Sequence, residues 1–204
     1  MGGLKIALTV AMAALSLAAC SPKSTSGVGS AEDMSLGSPT AKVTVVEYAS
    51  VGCPVCGKWA REVWPTFKTK YVDTNRVHFV YREMLVGGGS EVAVAASGFL
   101  LARCVGKEKY FNVLDAIYGN QEQAFQAPRE TLLNVAKSTG MTEAQFNTCI
   151  NDEPSILALN KRVEKHVKED HVDSTPTFVI NGKSMTPGFH ELPEIDAAIA
   201  QAGS

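Results

Sequence analysis

Two cysteines, Cys53 and Cys56, are separated by two residues in the run Cys53-Pro54-Val55-Cys56. Thiols at this spacing can form and break a disulfide, because a thiolate attacks another disulfide through a mixed-disulfide intermediate. Zinc sites and structural bridges use the same spacing, so the motif alone does not distinguish redox exchange from metal binding or cross-linking. The elements around the two cysteines therefore have to decide between these functions.

The motif lies between a predicted strand and a predicted helix. Residues 42–49 are rich in β-branched side chains and end in a turn, which is typical of a strand. Pro54 suits the first position of a helix, and Trp59 and Phe67 continue the helical spacing, with a kink expected at Pro65. The cysteines are thus expected at a helix N-terminus, where unpaired N–H groups and the helix dipole stabilise a thiolate.

This placement predicts different roles for the two thiols. Cys53 is expected to be the nucleophile, because it faces the positive end of the helix. Cys56 lies one turn inside the helix, so it is expected to be less exposed and to resolve the mixed disulfide formed by Cys53. Redox exchange is therefore favoured over the other two functions.

The remaining pattern predicts an α/β fold with a helical insertion. Residues 76–83 form a second strand and complete a β-α-β unit, and the pattern is helical through most of residues 88–170. The chain returns to a strand at Thr177–Ile180, turns at Asn181-Gly182, and ends in a helix over residues 192–201.

A proline stands directly before this last apolar strand, in the run Ser174-Thr175-Pro176-Thr177-Phe178. A cis Thr175–Pro176 bond there would present backbone groups beside the active-site sulfurs, whereas a trans proline opening an edge strand is the alternative. With this feature the chain resembles the thioredoxin superfamily. The long helical insertion, together with Glu47-Tyr48-Ala49-Ser50 before the first cysteine, resembles the DsbA family of bacterial disulfide oxidoreductases over about residue 40 to the C-terminus.

The resemblance implies a thioredoxin fold whose helical domain is inserted between the β-α-β unit and the cis-proline hairpin. It also implies a thiol-disulfide oxidoreductase acting on exported proteins, with an oxidase as the leading expectation. A reductase, a disulfide isomerase and a chaperone-like binding module with a structural disulfide are the alternatives. Thr175 and Pro176 would lie against the disulfide, and with Pro54 and Val55 they would contact an extended substrate segment. A DsbB-like membrane protein is the expected redox partner.

Two side chains are expected to tune the chemistry. Glu47 shares one face of its strand with Val43 and Val45, which predicts a buried carboxyl with a raised pKa that relays a proton to Cys56. An exposed strand glutamate is the alternative. The strongest oxidants of the family carry a histidine immediately before the second cysteine, where this chain has Val55. An aliphatic residue offers Cys53 neither charge nor a hydrogen bond, so a milder oxidant is expected.

The other three of the five cysteines have separate expected uses. Cys104 and Cys149 are expected to form a structural disulfide, with free buried thiols or a zinc site shared with the active-site pair as alternatives. Cys20 follows Leu17-Ala18-Ala19 in a run that resembles a bacterial lipobox, which implies that it carries a lipid anchor. An ordinary signal peptide that happens to contain a cysteine is the alternative.

The N-terminal region is expected to direct export. Lys5 and the uncharged stretch that follows it read as a signal peptide over residues 1–19. Residues 20–39 are rich in Ser, Gly, Thr and Pro, which predicts a flexible linker before the domain at 40–204. The domain is expected at the periplasmic face of a membrane, attached through the N-terminal lipid only.

Composition excludes some function classes. The 204 residues, 45% of them hydrophobic, suffice for one globular domain, which is expected to be a monomer. The 19 basic and 21 acidic side chains form no basic block, so nucleic acid is not an expected partner. No cofactor or metal is expected, because the chemistry requires only the two thiols.

Overall fold

The computed structural model of the chain describes residues 1–2 and 32–204. The predicted signal peptide, Cys20 and most of the predicted linker lie outside these residues. Across the described ranges, no helix has the length and apolar character required to cross a bilayer.

A five-stranded mixed sheet forms the centre of the molecule, in the order β1-β3-β2-β4-β5. The central strands β2 and β3 run parallel, whereas β1 pairs antiparallel with β3, and β4 pairs antiparallel with both β2 and β5. A parallel pair needs a crossover connection, and the helices after the Cys-x-x-Cys motif provide it. The strand bounds are β1 Met34–Gly37, β2 Val43–Ala49, β3 Val77–Glu83, β4 Thr177–Ile180 and β5 Lys183–Ser184.

The crossover consists of α1 Pro54–Glu62, α2 Trp64–Phe67 and a π-helical turn at Lys68–Val72. The break between α1 and α2 falls just before Pro65, which has no backbone N–H and therefore cannot continue the hydrogen bonds of α1. The insertion between β3 and β4 contains helices and no strand within the described residues, and a last helix follows the β4–β5 hairpin. The helices of the insertion are α3 Ser90–Val105, a 3₁₀ turn at Lys107–Lys109, α4 Tyr110–Gly119, α5 Gln121–Gln126, α6 Pro128–Ser138, α7 Glu143–Ile150 and α8 Glu153–Lys168. The C-terminal helix, α9, spans Leu192–Gly203.

The main core lies between the sheet and the helices that carry the motif. Trp59 of α1 packs against Phe178 of β4, with ring centroids 4.8 Å apart, and Trp64 packs against Phe79 of β3 at 4.6 Å. All four side chains are buried. The strand–helix unit that carries the two cysteines is thus held rigidly against the sheet.

A buried acid ties the helical insertion to the sheet. Glu83, at the end of β3, is 1% exposed and accepts hydrogen bonds from Arg103 of α3 at 2.6 Å and Arg162 of α8 at 2.9 Å. The hydroxyl of Tyr110 donates to the same carboxyl at 2.9 Å. A buried carboxylate needs such partners, so these contacts fix the insertion relative to the strand.

The described structure corrects the predicted linker. Residues 34–37 form β1, with Met34 opposite Tyr81 and Leu36 opposite Phe79 of β3. Met34 is only 5% exposed because it packs into the main core. The flexible-linker prediction for residues 20–39 is therefore wrong for these four residues, because a short edge strand supplies enough apolar contact to order the chain.

Candidate active site

Cys53 caps the N-terminus of α1. Its backbone is extended, with φ −92° and ψ 119°, and its carbonyl accepts the first helical hydrogen bond from Gly57 at 3.0 Å. Pro54 occupies the first turn of the helix, where the missing N–H removes no hydrogen bond. The sequence thus folds so that the Cys53 sulfur faces the free N–H groups of α1.

The surroundings of Cys53 favour its thiolate. The N–H of Cys56 donates to Sγ of Cys53 at 3.4 Å. In the protonated form, Sγ can itself donate to the carbonyl oxygen of Thr175, which lies 3.6 Å away. Hydrogen bonding, first from the Cys56 thiol and also from the N–H groups of Cys56 and Val55, lowers the pKa of Cys53 to about 6, although burial opposes this effect. A thiol with this pKa is largely ionised at neutral pH.

Cys56 has the opposite character. Its side chain is fully buried, whereas Cys53 is 7% exposed. Burial raises the pKa of Cys56 well above its usual value, and the nearby Cys53 sulfur adds to this effect. Both cysteines are free thiols in the structure, so the site is in its dithiol form.

The proline loop lies directly against the sulfurs. The Thr175–Pro176 peptide bond is cis, and it precedes β4, which pairs with the strand leading into the motif. The Pro176 carbonyl accepts a hydrogen bond from the N–H of Gly188 at 2.8 Å, which anchors the loop from its other side. The structure thus brings the Thr175 carbonyl to Cys53, at 3.6 Å from its sulfur, and Pro176 follows directly in the chain.

Glu47 lies beneath the motif in the middle of the sheet. It stands opposite Tyr81 of β3 and Phe178 of β4, and it is 4% exposed. Burial raises the pKa of Glu47 to about 8, and the negative charge of Cys53 contributes further. A carboxyl with this pKa holds its proton at neutral pH and can release it with little penalty, as a proton carrier must.

Two tyrosines near Glu47 were not predicted from the sequence to belong to the site. The hydroxyls of Tyr81 and Tyr118 are 2.8 Å apart, and both side chains line a small cavity together with Glu47 and Asp115. Tyr81 lies on the same face of β3 as Val77 and Phe79, so strand alternation could have predicted that its side chain points inward. Tyr118 carries no comparable signal, because only the packing of α4 against α1 brings it to the site.

The remaining predicted residues fall into two groups. Pro54 and Val55 are exposed beside Cys53, and Val55 is 41% exposed, so both are accessible to a bound polypeptide. Cys104 of α3 and Cys149 of α7 form a disulfide with a Cα–Cα distance of 5.9 Å. These two sulfurs are consequently not free to share a zinc ion with Cys53 and Cys56.

Taken as chemistry, the site combines a stabilised thiolate, a protonated partner thiol and a buried acid. The thiolate can attack or leave a disulfide, and the second thiol can close the ring once it loses its proton. Within residues 1–2 and 32–204, no cluster of His, Cys, Asp and Glu side chains has the arrangement of a metal site.

Comparison with known proteins gives a consistent result. A family model described as thioredoxin matches residues 30–199. A putative protein-disulfide oxidoreductase of Rickettsia bellii is 30% identical over 173 residues, which cover 83% of this chain and 64% of that protein. The chain therefore spans slightly less than two thirds of this relative's length. Disulfide bond formation protein D of Bacillus subtilis is 24% identical over 80% of the chain and 74% of its own length.

Solved structures share the fold. Wolbachia pipientis alpha-DsbA1 superposes with a TM-score of 0.77 at 23% identity, covering 86% of this chain and 93% of that one. Chlamydia trachomatis DsbA superposes with a TM-score of 0.71 at 19% identity, covering 89% and 96%. The predicted fold class, a thioredoxin fold with a helical insertion, is confirmed.

Proposed function

The chain belongs to the thioredoxin family, and on this basis we propose that it is a protein thiol-disulfide oxidoreductase that works through Cys53 and Cys56. One observation carries the proposal: Sγ of Cys53 lies at the N-terminus of α1, within 3.4 Å of the Cys56 N–H and 3.6 Å of the Thr175 carbonyl oxygen. The helix N-terminus and the Cys56 N–H stabilise an attacking or leaving thiolate, and the Thr175 carbonyl places the backbone that could pair with a substrate beside the sulfur. The Rickettsia relative named as a putative protein-disulfide oxidoreductase supports the same activity.

In the proposed direction the oxidised pair accepts two electrons. A substrate thiolate attacks Sγ of Cys53, the Cys53–Cys56 bond breaks, and Cys56 leaves as a thiolate that takes a proton from Glu47. A second substrate thiolate then attacks the substrate sulfur of the mixed disulfide and releases Cys53 as a thiolate. The substrate thiols lose two protons in forming their disulfide; one restores the proton of Glu47 and the other goes to solvent. The reduced enzyme is left with a Cys53 thiolate and a Cys56 thiol.

The pKa of about 6 at Cys53 supports this oxidising direction. Stabilising the thiolate stabilises the reduced enzyme, which makes its disulfide a better oxidant. Val55 adds no positive charge next to Cys53, so we propose a moderate oxidant. A reductase would use the same residues in the opposite direction, and an isomerase would use the Cys53 thiolate to rearrange substrate disulfides without net electron transfer.

We further propose that the substrates are exported proteins. An extended substrate segment would pair with the Thr175 backbone and lie across Pro176, Pro54 and Val55 as an added strand. The lipobox-like run ending at Cys20 supports a lipid anchor that keeps the domain at the periplasmic face of a membrane. There a DsbB-like membrane protein would reoxidise the dithiol.

Trapping tests whether exchange occurs. A Cys56→Ser variant cannot resolve mixed disulfides, so it should accumulate covalent complexes with exported proteins that dithiothreitol releases. A Cys53→Ser variant is the matched control, because it keeps the fully buried thiol of Cys56 but loses the nucleophile. If neither variant forms complexes, the disulfide is structural and the protein is a binding module.

The reduction potential tests the direction. Equilibration with glutathione should place the Cys53–Cys56 pair at a potential between those of thioredoxin and the strongest oxidants of the family. A Val55→His variant should be more oxidising than a Val55→Gln control, because only histidine can add positive charge beside the thiolate. A potential as low as that of thioredoxin would contradict an oxidase.

A further inference from the structure

One side chain of the helical insertion reaches the turn that carries Cys53. Gln121, the first residue of α5, is 5% exposed. Its Nε2 donates to the carbonyl oxygen of Val51 at 2.9 Å and to that of Cys53 at 3.0 Å. Two carbonyl acceptors require the NH₂ end of the amide, so both of its hydrogens are used and its orientation is fixed.

These two bonds complete the support of the turn before α1. On the opposite side, the Ser50 carbonyl accepts from the N–H of Cys53 at 3.0 Å, and Oγ of Ser50 accepts from the N–H of Gly52 at 3.2 Å. The turn is thus held by its own strand through Ser50 and by the insertion through Gln121. The carbonyl of Val51 is buried, and a buried carbonyl that loses its donor is destabilised.

Gly57 shows that the contact is closely fitted. A Cβ at this position would lie 2.1 Å from Oε1 of Gln121, which is too close for any side chain. Gly57 is buried inside α1, so it serves here to let Gln121 approach the helix. Next to it, Nη1 of Arg61 donates to the Tyr118 carbonyl at 2.8 Å and links α1 to the end of α4, just before α5.

We propose that Gln121 is a positioning residue that holds the Cys53 turn from the insertion, so that the sulfur stays aligned with the N–H groups of α1. The contact from the Cys56 N–H to Sγ of Cys53 is long, at 3.4 Å, and a small rotation of the Cys53 backbone would therefore weaken it. The inference rests on the proposed function only in taking Cys53 as the nucleophile. The helical insertion would then help to stabilise the Cys53 thiolate through Gln121.

The test measures the pKa of Cys53 in the reduced full chain by the ultraviolet absorbance of the thiolate. Replacing Gln121 with leucine removes both donors at similar volume, and the pKa of Cys53 should rise by roughly half a unit to one unit, the equivalent of about one hydrogen bond. The reduction potential should fall accordingly, because the reduced form loses stabilisation. A Gln123→Leu variant is the matched control, since Gln123 is exposed on the same helix.

A second variant reaches the same contact from the other side. Gly57→Ala places a methyl group where Oε1 of Gln121 lies, so it should displace the amide and raise the pKa of Cys53 similarly. The Gly57→Ala/Gln121→Leu double variant should show much less than the sum of the two shifts, because both remove one interaction.

Gln121 has a merely structural role if the folded variants lose stability equally in the oxidised and reduced forms while the pKa and potential stay unchanged. Additive shifts in the double variant would also overturn the proposal. Neither readout depends on trapping a substrate, so this inference and the proposed function can fail separately.

Discussion

At the scale of single residues, the two sulfurs of the site differ in environment far more than in chemistry. The largest contribution to the low pKa of Cys53 is a hydrogen bond from the Cys56 thiol. Burial holds that thiol in its protonated form, in which it can act as a donor. Each cysteine therefore maintains the state that the other requires.

Removing this donor gives a direct test. In a Cys56→Ala variant, the pKa of Cys53 should rise by roughly one unit from its value of about 6, because the S–H donor is lost while the N–H groups remain. The pH dependence of alkylation by iodoacetamide measures the midpoint. A Cys56→Ser variant keeps an O–H donor and should stay closer to the parent, so identical midpoints in the two variants would refute this account.

Glu47 should give the protein an unusual dependence of stability on pH. In the unfolded chain this carboxyl ionises near pH 4.5, whereas the folded protein keeps its proton until about pH 8. Between these values the folded state binds more protons than the unfolded state, so the free energy of unfolding decreases as pH rises.

In a Glu47→Gln variant, the free energy of unfolding should no longer decrease in this way as pH rises. In the oxidised protein neither active-site cysteine titrates, and the charge of Cys53 no longer adds to the shift. Because burial is its larger cause, the parent should still lose roughly 2 to 3 kcal/mol of stability between pH 5 and pH 8 relative to the variant. Urea unfolding at several pH values measures the difference. Glu62→Gln is the control, because that side chain is 55% exposed and should leave the slope unchanged. Parallel curves for parent and Glu47→Gln would mean that Glu47 ionises normally.

The residues that sequence could predict are those specified by local pattern. Cys53 and Cys56 follow from the motif and its helix start, Pro176 from its place before a strand, and the burial of Glu47 from strand alternation. The contact made by Gln121 has no such signal. It depends on how α5 packs against α1, which no local spacing encodes.

At the scale of elements, β1 and α5 show why short segments are hard to predict from sequence. β1 has four residues and lies at the sheet edge, and its pairing with β3 joins parts of the chain that are distant in sequence. α5 has six residues, of which only two are buried. Segments this short carry too few apolar positions to show a period, so tertiary contacts decide their structure.

The disulfide between α3 and α7 should stabilise the insertion without setting the chemistry. Its cysteines are 45 positions apart, and a cross-link over that length should add about 3 to 4 kcal/mol by restricting the unfolded chain. A Cys104→Ala/Cys149→Ala variant should lose this amount in urea unfolding while the pKa of Cys53 stays the same. For the urea comparison, Cys53 and Cys56 are kept oxidised in both proteins, and the pKa of Cys53 is measured separately after that pair has been reduced. A large pKa change would show that the disulfide also orders the active site.

At the scale of the whole molecule, the fold could be predicted because its order along the chain is distinctive. A β-α-β unit, a long helical block, a proline before a strand and a hairpin allow few topologies once the central strands are parallel. The start of the domain could not be placed, because the composition of residues 32–39 differs little from that of a linker. Apolar pairing with β3 orders that segment instead.

The last prediction concerns where the whole molecule acts. If Cys20 carries the lipid, a Cys20→Ser variant should move from the membrane fraction to the soluble fraction and should no longer incorporate labelled palmitate. Its Cys53 pKa and reduction potential should equal those of the parent, because the site is built entirely from residues after Ala49 together with Glu47 of β2. Cys53→Ser is the reciprocal control, since it should stay in the membrane fraction and lose exchange. A Cys20→Ser variant that remains lipid-labelled would place the anchor elsewhere. A soluble variant with normal exchange would show that the anchor determines only the location, whereas the thioredoxin domain determines the chemistry.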